Sequence, residues 1–260
     1  MPTDLPRPEC NIVELRQYTL HPGQRDALIE LFEREFVESQ EAVGMTVMGQ
    51  FRDLDDADRF TWLRGFHDLA ARPAALNAFY TDPVWQAHRT AANATMVDSD
   101  NVLLLRPAWP GSGISMHGRT RAAPGSSAAT ALPAGLLEAS IFHLREPAGA
   151  ELLERCRPPL APAHARAGAA MLGWYVTESR PNNFPRLPVR EGEPVLVAFR
   201  MFDDETTFDA FTRSGAWARE VQPLSGGWLA RPAQSLRLSP TARSALHAGA
   251  SARSSPTPQP

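Results

Sequence analysis

One strand pattern occurs twice in the chain. Val13-Glu14-Leu15-Arg16-Gln17-Tyr18-Thr19-Leu20 and Leu137-Glu138-Ala139-Ser140-Ile141-Phe142-His143-Leu144 align residue for residue, with the acid second and the aromatic sixth. A later spacing recurs too: Ala78-Phe79 followed by Trp85, then Ala210-Phe211 followed by Trp217. Self-similarity of this kind marks a repeated supersecondary unit whose copies bury a common face.

The elements between these marks read alike in both halves. Ile12 to Leu20 alternates with strand period and stops at Pro22-Gly23. A helix follows from Gln24, with Leu28, Leu31, Phe32 and Phe36 on one stripe. Strands are predicted over 46–52 and 59–66, a helix opened by Pro73, another opened by Asp82-Pro83, and a closing strand over 101–106. The second half reads as a strand over 137–144 and a helix with Leu152, Leu153 and Cys156, offset by Pro158, Pro159 and Pro162. Strands over 173–177, 195–202 and 235–238 complete it. The order β-α-β-β-α-β, twice, predicts an α+β fold of two tandem ferredoxin-like units. The expected divisions are a flexible head over 1–10, a first unit over 11–109 and a Gly/Ser/Pro/Ala-rich linker over 110–133. A second unit over 134–238 and a disordered tail over 239–260 follow.

Such a unit covers only one sheet face with helices. Two units in one chain can press their open faces together and enclose a cavity. Glu14, Arg16 and Tyr18 share one face of the first strand; Phe60, Trp62, Arg64 and Phe66 share one of the third. Both faces are expected to look into that cavity, where a small organic ligand would sit. Arg16 and Arg64 are candidates to hold a carboxylate or enolate oxygen, with Glu14, Tyr18, Trp62, Phe66 and Trp85 as substrate-binding positions. A buried, self-satisfied ion network explains the same charges. His67 and His88 are the candidate bases; a surface-loop histidine and a half-buried helix position describe them equally well. His67 and Asp68 are strand neighbours and are expected to point apart.

Other chemistries lack their signatures. A net charge of −3 gives no basis for nucleic-acid or anionic-membrane binding, and no apolar run is long enough to span a bilayer. Met1 to Cys10 has no signal-peptide core, and Cys10 with Cys156 reads as a reduced pair, so the cytoplasm is the expected location. No metal-ligand spacing is present, and Asp53, Asp55, Asp56 and Asp58 form a turn rather than a calcium loop. There is no glycine-rich phosphate loop, no Gly-x-Ser-x-Gly and no Cys-x-x-Cys-His; His143 and His164 are the remaining candidates for a haem ligand. No cofactor is expected.

Val13 to Gly23 resembles the opening motif of the NIPSNAP family. Phe60-Thr61-Trp62-Leu63-Arg64-Gly65-Phe66-His67-Asp68-Leu69 with Arg72, Asp82-Pro83-Val84-Trp85, and Asn183 through Glu193 are similar to further segments of its bacterial members. The resemblance spans 12–238 apart from the linker. It implies the dimeric α/β-barrel superfamily, which includes cofactor-free quinol monooxygenases, haem-dependent enzymes and haem degraders. It carries over no agreed catalytic motif, and fold alone does not name a function. The resulting expectation is a small-molecule-binding α/β barrel, with activity of the cofactor-independent monooxygenase or isomerase type. The alternative is a non-catalytic binding or interaction scaffold. An exposed sheet edge would allow a homodimer.

Overall fold

The computed structural model describes residues 9–126, 131–156, 168–215, 218 and 227–249. Its strands are β1 (Ile12–Leu20), β2 (Thr46–Asp53), β3 (Arg59–Phe66), β4 (Met96–Asp98), β5 (Val102–Pro107), β6 (Leu136–His143), β7 (Ala169–Thr177), β8 (Val195–Phe202) and β9 (Gln234–Pro240). Its helices are α1 (Arg25–Leu31), α2 (Val37–Glu41), α3 (Arg72–Thr81), α4 (Pro83–Asn93), α5 (Ala150–Cys156) and α6 (Glu205–Arg213); a π-helical turn, Phe32–Phe36, joins α1 to α2. Trp217, His164 and the prolines 158, 159 and 162 lie outside the described residues. No helix among the described residues is long and apolar enough to cross a membrane. Cys10 and Cys156 are both buried and form no disulfide.

Every strand pairing is antiparallel. In the first half the order is β5-β1-β3-β2, and in the second β9-β6-β8-β7. Two short seams join them: β2 to β9 through Phe51↔Pro240, Arg52↔Ser239 and Asp53↔Leu238, and β5 to β7 through Leu105↔Thr177, Arg106↔Val176 and Pro107↔Tyr175. The result is a closed barrel of eight strands. Closure removes the sheet edge on which a homodimer was expected; the short β4, beside the end of β1, stands outside the ring.

The interior of an eight-stranded barrel is just wide enough for side chains to fill it or for one small ligand. Here Val13, Leu15, Phe51, Leu63, Leu103, Ile141, Phe199 and Leu238 fill it, all fully or almost fully buried. The opposite row of β1 therefore points outward, and α1–α4 cover it. This corrects the expected orientation: Glu14, Arg16, Tyr18, Trp62, Arg64 and Phe66 face the helix layer, not a chamber between sheets. Both rows of β1 are buried, so alternation in the sequence could not say which was inside.

The low-complexity segments also differ from expectation. Pairing at each seam stops at a proline, Pro107 or Pro240, which has no N–H to continue it. The following chain then turns in and plugs the barrel. Trp174 N donates to Ser112 O at 2.8 Å, Ile114 N donates to the Tyr175 hydroxyl at 2.7 Å, and Ile114 and Met116 join the interior. A Cβ at Gly173 would lie 2.9 Å from Ser112 O, so glycine is required for that approach. After β9, Thr241 N donates to Gln50 O at 2.9 Å, and Ala245 and Leu246 are buried in the barrel. The tail expected from Ser239 is thus packed through Leu246, the supposed linker packs at Ser112–Met116, and Cys10, assigned to the head, is core.

Candidate functional site

The outward row of the first half carries a buried charge cluster centred on Glu14. Arg64, its ladder partner on β3, donates from Nε and Nη2 to Oε2 at 3.1 and 2.5 Å. Arg16 donates from Nη1 to the same oxygen at 2.7 Å. Arg72, at the first position of α3, donates from Nε to Oε1 at 2.7 Å. None of the four side chains is more than 1% exposed. Burial alone would raise the Glu14 pKa, but the guanidiniums of Arg64, Arg16 and Arg72 outweigh it and hold the carboxyl well below its usual range.

The remaining acceptors around these cations are neutral. Arg16 Nε donates to the Tyr18 hydroxyl at 3.0 Å, Arg64 Nη1 to Gln40 Oε1 at 3.1 Å, and Arg72 Nη1 to Asn182 and Asn183 Oδ1 at 2.9 and 3.0 Å. Three guanidiniums on one carboxylate leave two positive charges in excess within the cluster. Burial, opposed by the Arg16 charge, raises the Tyr18 pKa, so its phenol keeps its proton.

The second half supplies an internal comparison. Glu138 faces Arg200 across β6 and β8 in the register of Glu14 and Arg64. Its other oxygen accepts from Ser140 and Ser235 hydroxyls, at 2.6 and 2.8 Å. Ser140 occupies the place of Arg16, Phe142 that of Tyr18 and Ala198 that of Trp62. Among the described residues, this layer of the second half holds one Glu–Arg pair, without the added guanidiniums and the added indole of the first half.

Above the cluster lies an aromatic box. The π turn puts Phe32 4.8 Å from Trp62 and Phe36 5.3 Å from Trp85, ring centre to ring centre. Such turns occur often at functional sites. Gln40 links the turn to the charges, donating from Nε2 to Phe36 O at 2.8 Å while accepting from Arg64. Trp62 lies beside both Arg16 and Arg64, whose guanidinium carbons are 5.6 and 5.1 Å from its ring centre. Tyr18, Phe36, Trp62, Arg64, Tyr80 and Trp85 line a cavity of about 40 Å³, room for a water or two. Trp62 Nε1 is buried there with no hydrogen-bond partner among the described residues.

Glu14, Arg16, Tyr18, Trp62, Arg64, Phe66 and Trp85 therefore assemble in one layer. His67 does not: its side chain is 65% exposed, and its Nδ1 sits 3.0 Å from Asp68 Oδ2. The two touch because β3 has already ended at Phe66, so they are not strand neighbours. His88 lies on the flank of α4, Nε2 3.5 Å from Glu35 Oε2, and does not line the cavity. His143, at the end of β6, takes a hydrogen bond from Arg231 Nη2 at 3.1 Å, and burial, with Arg231 and Arg190, lowers its pKa. No group of three His, Cys, Asp or Glu among the described residues is placed to hold a metal.

Arg72, Gln40, Tyr80, Asn182 and Asn183 escaped the sequence reading as site residues. Arg72 left a signal. A cation immediately before Pro73 sits at the positive end of a helix dipole, where it is disfavoured unless something else requires it.

Crystal structures similar to this one extend over nearly the whole chain. A protein from Lactobacillus acidophilus described as a candidate monooxygenase is 12% identical, with a TM-score of 0.57 over 89% of this chain and 94% of its own. A counterpart from Fusobacterium nucleatum, described likewise, gives 10% identity and a TM-score of 0.54 over 88% and 91%. An anthrone oxidase-like protein gives 13% identity and a TM-score of 0.52 over 94% and 98%. At these identities the likeness is one of fold. No curated protein matches the chain in sequence. The NIPSNAP family model matches residues 13–109, the segment that builds the charge cluster and its aromatic roof.

Proposed function

We propose that the protein binds a small, flat organic molecule with an acidic oxygen between the outer face of β1–β3 and helices α1–α4. We further propose that it acts on that molecule as a cofactor-independent monooxygenase- or isomerase-type enzyme. The observation that carries this reading is the buried excess of two positive charges around Glu14. An uncompensated buried charge is costly, and an organic anion against Arg16 and Arg64 would balance it. The rings of Phe36, Trp62, Tyr80 and Trp85 suit an aromatic skeleton. Arg16 and Arg64 would stabilise a phenolate or enolate, and the protonated Tyr18 hydroxyl, which accepts from Arg16, keeps its own proton to donate to the same oxygen. An electron-rich enolate can react with dioxygen directly or be reprotonated at another carbon.

The cavity must open for this. Helix α4 buries only Ala92 fully, so shifting it exposes little apolar surface. In this reading the two halves are tandem ferredoxin-like units, of which only the first keeps a ligand site. A second reading, a non-catalytic binding scaffold, draws on the lining itself: no histidine is among the residues around the cavity.

The test uses 1,8-dihydroxyanthrone, whose oxidation by dioxygen gives the anthraquinone and water. Binding is followed by tryptophan fluorescence and turnover by the quinone absorbance, with no cofactor added. Binding with turnover that Arg64→Gln abolishes is expected. Binding without turnover leaves the scaffold reading, and absence of binding by this and other fused-ring phenols sinks both.

A further inference from the structure

The first-half site is finished by a loop of the second half. Between β7 and β8, residues 178–194 run along β5, with Glu178 N donating to Leu104 O and Arg190 N to Val102 O, both at 2.8 Å. The loop then reaches α3. Phe184 stacks on Tyr80, 6.4 Å between ring centres and 18° between planes, and Leu187 and Val189 pack on the apolar cluster around the site.

Asn182 and Asn183 are held with their carbonyls toward Arg72. Asn182 N donates to Glu191 Oε1 at 2.8 Å and its Nδ2 to Leu187 O at 2.9 Å; Asn183 Nδ2 donates to Leu69 O at 2.6 Å. Each amide nitrogen is thus occupied, which fixes the orientation and leaves both Oδ1 atoms for Arg72 Nη1. Two neutral oxygens on Nη1 of a buried guanidinium give that nitrogen hydrogen bonds without neutralising the charge.

Beneath the loop lies a cleft of about 490 Å³, bordered by Leu104, Asn182, Val189, Arg145, Arg180 and Arg190. That volume suits a small-molecule compartment, whereas the aromatic box holds a water or two. Asn182 stands in the wall between the cleft and Arg72. Of the bordering cations, Arg180 is committed to Glu178 and Arg190 to Glu193. Arg145 lies exposed at the rim.

We infer that this cleft receives a carboxylate-bearing substituent of the ligand, with Asn182 and Asn183 the exchangeable partners of Arg72. The inference rests on the anion-binding reading of the Glu14 cluster and adds a second recognition point to it. An incoming carboxylate displaces the amide carbonyls from Nη1 and replaces neutral hydrogen bonds by charge-assisted ones. Asn182 and Asn183 are then specificity-determining residues, and the ligand class narrows to aromatic acids carrying a hydroxyl.

Three probes test this by titration against wild type and Asn182→Asp: 2-naphthol, 3-hydroxy-2-naphthoate and glutarate. Wild type is expected to prefer the naphthoate to the naphthol by about tenfold or more, the worth of one charge-assisted bond. Asn182→Asp places a permanent carboxylate on Arg72 and should bring that ratio near unity. A ratio that Asn182→Asp does not alter overturns the inference. Glutarate separates the two readings, having no ring. If neither naphthyl probe binds, the aromatic site falls; glutarate binding that Asn182→Asp abolishes would still uphold the cleft, and glutarate failing as well would overturn it.

Discussion

Arg64 lies directly opposite Glu14 across the β1–β3 ladder, and Arg200 lies opposite Glu138 at the equivalent step of β6–β8. The two pairs share a register and differ in company. Glu138 has two serine hydroxyls beside its arginine, while Glu14 has two more guanidiniums. That difference turns a structural pair into a cluster that carries charge.

Glu14→Gln should therefore destabilise the fold more than Glu138→Gln. Removing the one anion leaves three buried cations facing each other, and breaking a buried pair typically costs about 3–5 kcal/mol. Urea unfolding of both variants decides it; equal losses would mean that the extra arginines are balanced elsewhere.

Acid should act through the same residue. The folded-state pKa of Glu14 is depressed, so below the unfolded value of about 4.3 the unfolded chain takes up a proton that the folded one refuses. Its contribution is complete above that value and is lost as pH falls further. Melting temperature should drop from about pH 5 to pH 3, with a shallower slope in Glu14→Gln. Parallel slopes would remove Glu14 from the account, leaving other depressed carboxyls such as Glu178 and Glu193.

Gln40→Leu should lower stability by about 1–3 kcal/mol, since it strands the Phe36 carbonyl and one Arg64 nitrogen in a buried layer. It should also weaken binding of any anionic ligand, because the π turn that sets Phe36 against Trp85 loses its brace. Unchanged binding in a stable variant would show that the turn keeps its shape unaided.

Leu246→Ala tests the plug at the end of the barrel. A buried leucine truncated in a packed core costs about 2–5 kcal/mol. A loss below about 0.5 kcal/mol, the range of ordinary surface substitutions, would show the segment after β9 to be dispensable in solution.

Strand positions and the Glu14, Arg16, Tyr18, Trp62 and Arg64 grouping were legible in the sequence because the repeat and the two-residue period place them on one face. What lay on each side of that face was not legible. Every residue of β1 but Thr19 is buried, so alternation carried no polarity signal. Composition misled at Ser112–Met116 and at Thr241–Leu246, where small and polar residues pack because close approach to Gly173 and Gln50 needs little side-chain volume. Arg72 hid in a helix start. Asn182 and Asn183 could not be placed at all, because their contact with Arg72 crosses from one half of the chain to the other and follows no local period.

The seams have a consequence for concentration. Each joins only three residue pairs, against eight in the central ladder of either half, β1–β3 and β6–β8. If the halves were separate molecules, so little edge pairing would have to be supplemented by buried surface, and dilution would open the ring. Carried on one polypeptide, closure becomes unimolecular, with an effective concentration set by the connector rather than by the amount of protein. The site, which needs Asn182 of one half on Arg72 of the other, should then be as complete in dilute solution as in concentrated.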